Sequence, residues 1–398
     1  MRATRKDQGE QFTLAGLARR LFVGELKLTD FRNYASAKLE LDARPVVLVG
    51  DNGSGKTNLL EAVSLLTSGH GLRARPYAEL CRKDGAGGFA VAARVMSRHG
   101  EVEIGTGIPF GTREDVTGRS VRIAGKNESA GALGDYMQLV WLIPAMDGLF
   151  TGPGSERRRF LDRLVVTVDP LMRKPLSRYE RAMRQRNRLF QLREYSRVLF
   201  EGLEQQMAEA GTAIAAARVD AIARLTGLIE RTRAAQGDGP FPHALLALEG
   251  ALEAGIGSRP ATEIEDDFRA VLEQGRERDR AASRALEGPH LSDLIVTHGP
   301  KNAPAAHCSS GEQKALLIGL ILAKAELIRE VSGLSPLVLL DEVAAHLDQS
   351  RREALFAEVL RLEVQAWMTG TDQELFAPLA QKAQNFVVNR GKIGGLIH

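Results

Sequence analysis

An α/β fold, with a parallel sheet interrupted by a mainly helical second domain, is predicted by three observations. The β-branched run Val46–Val49 leads into GDNGSGKT at 50–57, after which Leu59, Val63 and Leu66 recur at helical spacing, so the order is strand, glycine loop, helix. A second apolar run, Leu337–Leu340, ends in the acidic pair Asp341-Glu342. Between the two, from about residue 155, long stretches rich in Arg, Glu, Ala and Leu repeat with helical period.

The elements follow in order along the chain. Leu26 and Leu28 alternate with polar neighbours, as do Leu39 and Leu41, which predicts an antiparallel hairpin of half-exposed strands. The continuous apolar character of Val46–Val49 predicts a buried central strand instead. Residues 87–125, rich in Gly, Val and Thr with short alternations, predict a β meander. Leu203, Met207, Ile214, Ile222, Leu225 and Ile229 keep one apolar stripe through a polar helical segment. Gln236–Pro242 and Gly255–Pro260 are breaks, and Glu263–Leu286 resumes as a charged helix. The α/β character returns near Leu294–Thr297 and again at Leu337–Leu340. The helical stretch has no sustained heptads, which excludes a long coiled coil.

The glycines of GDNGSGKT let backbone amides turn toward a phosphate, and the helix behind them presents its positive end to the same anion. Gly50, Asp51, Asn52, Gly53, Ser54, Gly55, Lys56 and Thr57 are therefore candidate ATP ligands, with Lys56 reaching the β and γ oxygens and the Thr57 hydroxyl on Mg²⁺. Two carboxylates at one strand end repel each other unless a cation sits nearby. That assigns Asp341 to Mg²⁺ and Glu342 to the base that orients attacking water, with Lys56 beside it in catalysis. Ser309-Ser310-Gly311-Glu312-Gln313 opens a helix and carries the spacing of a capping box. In isolation it is a well-capped helix start. A short distance before an acidic strand, it is the signature loop of an ABC-type ATPase, whose site is completed only by a second copy.

The phosphate loop with NLLEAVSLL behind it, FRNY at 31–34, GPGSERRRFLD at 152–162, GPH at 288–290 and SSGEQK at 309–314 together resemble the RecF family. These are bacterial DNA replication and repair ATPases related to the heads of SMC proteins. The resemblance runs from about residue 21 to the C-terminus and implies an ABC/SMC-type P-loop ATPase head split by a mainly helical second domain. Residues 1–20 are then a flexible N-terminal extension. Residues 21–150 and 288–398 form the two parts of the ATPase domain, and 151–287 form the helical lobe. The resemblance further implies an ATP-dependent homodimer with two sandwiched nucleotides. Lys56 of one subunit faces Ser309, Ser310, Gly311 and Glu312 of the other, with Asp348 near the seam. It implies slow, DNA-dependent ATP hydrolysis acting as a binding switch, and partners of the RecR/RecO mediator type. Four positions depart from the family pattern. The signature reads Ser-Ser-Gly-Glu where Ser-Gly-Gly or Ser-Arg-Gly is common, and Leu291 follows GPH where an arginine is usual. The lid glutamine is not identifiable, its place being expected in Leu142–Leu149 with Pro144 and Asp147, and Thr369-Gly370-Thr371-Asp372 lacks a switch histidine. Thr371 or Asp372 is expected to take that histidine's place.

Composition bounds the rest. A net charge of only +3 requires any nucleic-acid surface to come from local clustering. From Arg157 to Arg197 thirteen Arg or Lys far outnumber the acidic residues, and Arg181, Arg184 and Arg188 share a helical face, with Met183 and Phe190 able to point inward. They are the candidate DNA contacts. Aromatic residues make up 5% and do not interleave with the arginines, which favours backbone tracking of double-stranded DNA, or of its junctions with single strands, over base stacking. Cys81 and Cys308 do not make a disulfide framework, which fits a reducing cytoplasm. No apolar run reaches the eighteen or so residues of a membrane span, and residues 1–20 lack the apolar core of a secretory signal. The alternatives are the ATP-hydrolysing subunit of an ABC transporter and an SMC-like structural head. The missing switch histidine, the basic lobe and the absence of heptads speak against them.

Overall fold

The computed structural model describes residues 20–111, 118–237 and 239–395. The extension expected at residues 1–20 lies outside these residues, apart from Arg20. The described residues divide into two compact units, one formed by those from 20 to 144 together with 328–395, the other by those within 145–327.

In the first unit, β1 (Phe22–Phe31) and β2 (Tyr34–Glu40) form the expected hairpin, and β3 (Val46–Val49) leads through the glycine loop into α1 (Lys56–Ser64). The meander follows as β4 (Phe89–Ser97), β5 (Gly100–Ile108), β6 (Ser120–Ile123) and β7 (Lys126–Glu128), and β8 (Leu139–Leu142) closes the segment. One sheet has the order β2-β1-β4-β5-β6-β7 and is antiparallel throughout. Leu26 and Leu28 point into its core, as their alternation requires.

The second unit carries α2 (Gly154–Val168), α3 (Arg173–Gln191), the long α4 (Arg197–Gln236), β9 (Ala244–Glu249), α5 (Ala261–Gln274) and α6 (Arg276–Ala282). After these come β10 (Asp293–His298), the two-residue β11 (Ala303–Pro304) and α7 (Ser310–Ser332), which runs on into the first unit. The predicted stripe is buried at Met207, Ile214, Ile222 and Leu225 of α4. The unit extends beyond the expected 151–287. Strand β10 pairs with β9 in a small antiparallel sheet, which draws residues 288–327 into the lobe. On α3, Arg186 is fully buried and held by Glu204 at 3.0 Å and Asp279 at 2.6 Å. A guanidinium buried this deeply requires such paired carboxylates.

The chain then returns to the first unit as β12 (Leu337–Leu340), α8 (Gln349–Arg361), β13 (Ala366–Gly370), β14 (Gln384–Asn389) and β15 (Lys392–Gly394). These strands enclose β3 in a sheet of order β15-β14-β3-β13-β12-β8, parallel except for β15. Every residue of β3 and β12 is buried, because helices or the second sheet must cover both faces of a parallel sheet. The carboxyl ends of β3, β13 and β12 therefore lie side by side, where open α/β sheets hold their ligands.

Candidate nucleotide site

The phosphate loop is held in shape by residues outside it. A Cβ on Gly50 would lie 2.1 Å from the Val388 carbonyl, so the loop can pass β14 only with glycine there. Gly55 has φ 119°, and a side chain on it would strike Asn33 and Tyr34. Those two residues, from FRNY, brace the loop. The Asn33 amide donates to the Ser54 carbonyl at 3.0 Å, and the Tyr34 hydroxyl donates to the Gly55 carbonyl at 3.0 Å. Burial pushes the Tyr34 phenol well above its ordinary value, so it remains a donor. Arg32 grips Glu61 of α1 at 2.8 and 3.0 Å, and Phe31 packs edge-on against Phe89. Periodicity gave no sign of these roles; only the resemblance singled the four residues out.

Lys56 is nearly buried and its ammonium donates to the Gly50 carbonyl at 2.6 Å and the Asp51 carbonyl at 2.9 Å. Burial pulls its pKa below the usual lysine value, while the negative charges of Glu342, Asp341 and Asp51 oppose that shift. The Ser54 hydroxyl is buried in the loop without a hydrogen-bond partner, whereas Asn52 and Gly53 are open to solvent. A buried unpaired donor is costly unless a ligand oxygen satisfies it. The loop's own atoms thus fit a phosphate group.

The acidic strand end lies within reach. The Thr57 hydroxyl donates to Asp341 Oδ1 at 2.9 Å, and the Thr369 hydroxyl donates to the same oxygen at 2.8 Å. Thr369 also accepts the Glu342 amide at 2.9 Å. Glu342 itself is half-buried with φ 54°, a left-handed conformation that a β-carbon makes unfavourable. Thr57 and Asp341 offer adjacent hard oxygens, a donor set suited to Mg²⁺. The residue of the 369–372 segment that touches this centre is Thr369. Thr371 is exposed, and Asp372 accepts the Glu374 amide in its own turn.

The remaining candidates sit apart in sequence. Asp348 caps α8, its carboxylate accepting the Arg351 amide at 2.9 Å. Within the second unit, Ser309, Ser310 and Gly311 are exposed at the start of α7. Glu312 accepts the Ser309 amide at 3.0 Å, completing the predicted capping box. The Lys301 ammonium at 2.5 Å, together with that amide, holds the Glu312 carboxyl down to about 2. Asp147, in the stretch expected to supply a lid residue, pairs with Lys314 at 3.2 Å. Arg181, Arg184 and Arg188 are exposed on α3, and Arg184 lies 3.3 Å from Glu180. Leu291, where the family usually has arginine, is exposed.

A phosphate loop on β3, an acidic end on the neighbouring part of the same parallel sheet and a capped serine-glycine helix start define a P-loop nucleotide-binding head of the SMC type. The RecF/RecN/SMC N terminal domain family matches residues 22–392. The chain is 52% identical over 373 residues to the DNA replication and repair protein RecF of Mesorhizobium japonicum, covering 94% of this chain and 97% of that one. It is also 52% identical over 378 residues to the protein of the same name from Brucella suis biovar 1, covering 95% and 97%. The chain belongs to the RecF family. Its fold is similar to a solved structure of the recombination mediator protein RecF-ATPrS in the RecFOR pathway, with TM-score 0.82 and 22% identity over 95% of this chain and 99% of that one. An Smc head domain from Pyrococcus furiosus, bound to the C-terminal domain of ScpA, gives TM-score 0.52 at 15% identity, covering 95% of this chain and 96% of that one.

Proposed function

We propose that the chain is an ATP-dependent DNA-binding protein of DNA replication and recombinational repair, which dimerises on ATP to hold DNA and hydrolyses ATP slowly. The observation that carries this reading is the Asp341 carboxylate, which receives hydroxyls from both the phosphate-loop helix and the strand beside it. Lys56, Ser54 and the loop amides hold the phosphates. Thr57 and Asp341 hold Mg²⁺, which supplies neutralisation of the phosphate oxygens. Glu342 accepts a proton from the attacking water, and Thr369 fixes its backbone. The exposed Ser310-Gly311 of a second copy completes the site, so the nucleotide acts as the bond between two protomers. Relatives named for DNA replication and repair support the DNA role.

The exposed arginines of α3 support tracking of double-stranded DNA, and the RecFOR pathway named for the solved relative supports partners of the RecR and RecO type. Among the described residues no helix is long and apolar enough to cross a membrane. The relatives favour neither a transporter subunit nor a structural SMC head. We place the protein in the cytoplasm, where its DNA substrate lies. Light scattering of the protein with and without ATP and duplex DNA tests the reading. ATP should double the mass and DNA should stay with the doubled species. Rapid hydrolysis by a persistent monomer would overturn it.

A further inference from the structure

The helical unit contains a cavity of about 420 Å³, lined by residues from 155 to 290 and by none of the phosphate loop. Its cationic wall is made by Arg158, Arg159 and Arg218, with the Ser155 and Ser177 hydroxyls beside them. Leu176, Met183 and Ile214 form the apolar wall. Most of the charge in the cavity is already balanced. Arg218 is buried and taken by Asp162 at 2.8 Å and Glu253 at 3.2 Å. Glu180 is taken by Arg184. His290 is not a cation either. Its Nε2 faces the Ala285 carbonyl, its Nδ1 faces the Tyr179 hydroxyl at 2.8 Å, and burial lowers its pKa.

Two guanidiniums are left over. Arg158 donates one bond to the Ser292 carbonyl and Arg159 is exposed; among the described residues no carboxylate lies within ion-pair distance of either. Asp293 and Asp162 act on Arg158 from beyond ion-pair distance, so the two consecutive arginines keep their forks free of a direct carboxylate partner, and those planar forks suit phosphate oxygens. The apolar side chains of the same lining suit a flat, weakly polar body, and the volume falls within the range of small-molecule sites.

We propose that this cavity binds a phosphate monoester of nucleotide size, the phosphate on Arg158 and Arg159 and the body against Leu176, Met183 and Ile214. Calorimetric titration of the full-length Lys56→Ala protein with AMP tests it, because that change disables the phosphate loop. One-to-one AMP binding should persist, and adding Arg158→Gln and Arg159→Gln should weaken it at least about tenfold. Excess inorganic phosphate should compete with AMP. Loss of AMP binding on Lys56→Ala alone, indifference to the two glutamine changes, or no competition by phosphate would each overturn the assignment. Displacement of AMP by a short duplex DNA would give the arginines to the DNA backbone and overturn it as well. If the multiple variant fails to fold by circular dichroism, Arg159→Gln at its exposed position carries the same expectation with a smaller loss.

Discussion

Thr369 donates its hydroxyl to Asp341 Oδ1 at 2.8 Å, across the boundary between two parallel strands that are adjacent in the sheet but 28 residues apart in the chain. The Thr369 hydroxyl oxygen in turn accepts the Glu342 amide at 2.9 Å. One buried side chain therefore fixes the proposed metal ligand and the backbone of the proposed base.

Thr369→Val keeps the volume and removes both bonds. Turnover should fall by about tenfold while nucleotide affinity changes little, and Thr369→Ser should restore most of the rate. The unpaired Glu342 amide should also cost about 1–3 kcal/mol of stability in denaturant unfolding, while Asp341 keeps the Thr57 hydroxyl. A valine variant with wild-type turnover would remove Thr369 from the site.

Glu342→Gln should bind Mg·ATP, lose most hydrolysis and accumulate as a DNA-bound dimer, since the amide holds water but cannot take its proton. Phosphate release and gel filtration in ATP measure this. Hydrolysis at the unchanged rate would show that another group is the base.

Lys56→Arg should abolish ATP-driven dimerisation without unfolding the protein. The ammonium sits in a nearly closed pocket between two loop carbonyls, and a planar guanidinium does not fit there. Equal dimer formation by both proteins in ATP would contradict the assignment.

Changing Arg181, Arg184 and Arg188 to Glu should weaken binding to all duplex sequences alike and leave ATP affinity intact. Three lost phosphate contacts should lower the magnitude of the salt slope by roughly 2.7. Arg184, already beside Glu180, should contribute least when each is changed singly. An unmoved slope would mean that the three are only a solvated face.

Lys324 of α7 is buried against the Phe160 ring, and burial lowers its pKa from 10.5 to about 7. Between those values the unfolded chain binds a proton that the folded chain does not, so stability rises with pH across the window. Below about 7 both states are charged and the penalty for burial is at its full size. Lys324→Met should therefore raise the melting temperature most at pH 7 and below, with the difference from wild type shrinking toward pH 10.5. A difference independent of pH would show that the amine is hydrated in the fold.

Local signals carried the strands and the loops. Val46–Val49 and Leu337–Leu340 could be read because a strand covered on both faces must be continuously apolar. Thr369 could not, because its role depends on β13 lying between β3 and β12, an order set by long-range pairing. The same holds for residues 288–327. The return of α/β character near Leu294–Thr297 was legible, but nothing local said that the strand there would pair with Ala244–Glu249 in the helical unit. Asn33 and Tyr34 act through the corner of a hairpin, where no periodicity operates.

The place of β3 between β14 and β13 has a consequence for the growing chain. Both neighbours are made after residue 365, when more than nine-tenths of this sequence has been synthesised. The lobe of residues 145–327 is contiguous and can pack as soon as it emerges, whereas Val46–Val49 must wait with both edges unpaired. Domains fold as units in order of synthesis, and exposed apolar strand edges are what aggregation and chaperones act upon. Ribosomes stalled after residues 145–327 have emerged but before β13 and β14 do should therefore hold nascent chains with a folded lobe and no phosphate loop.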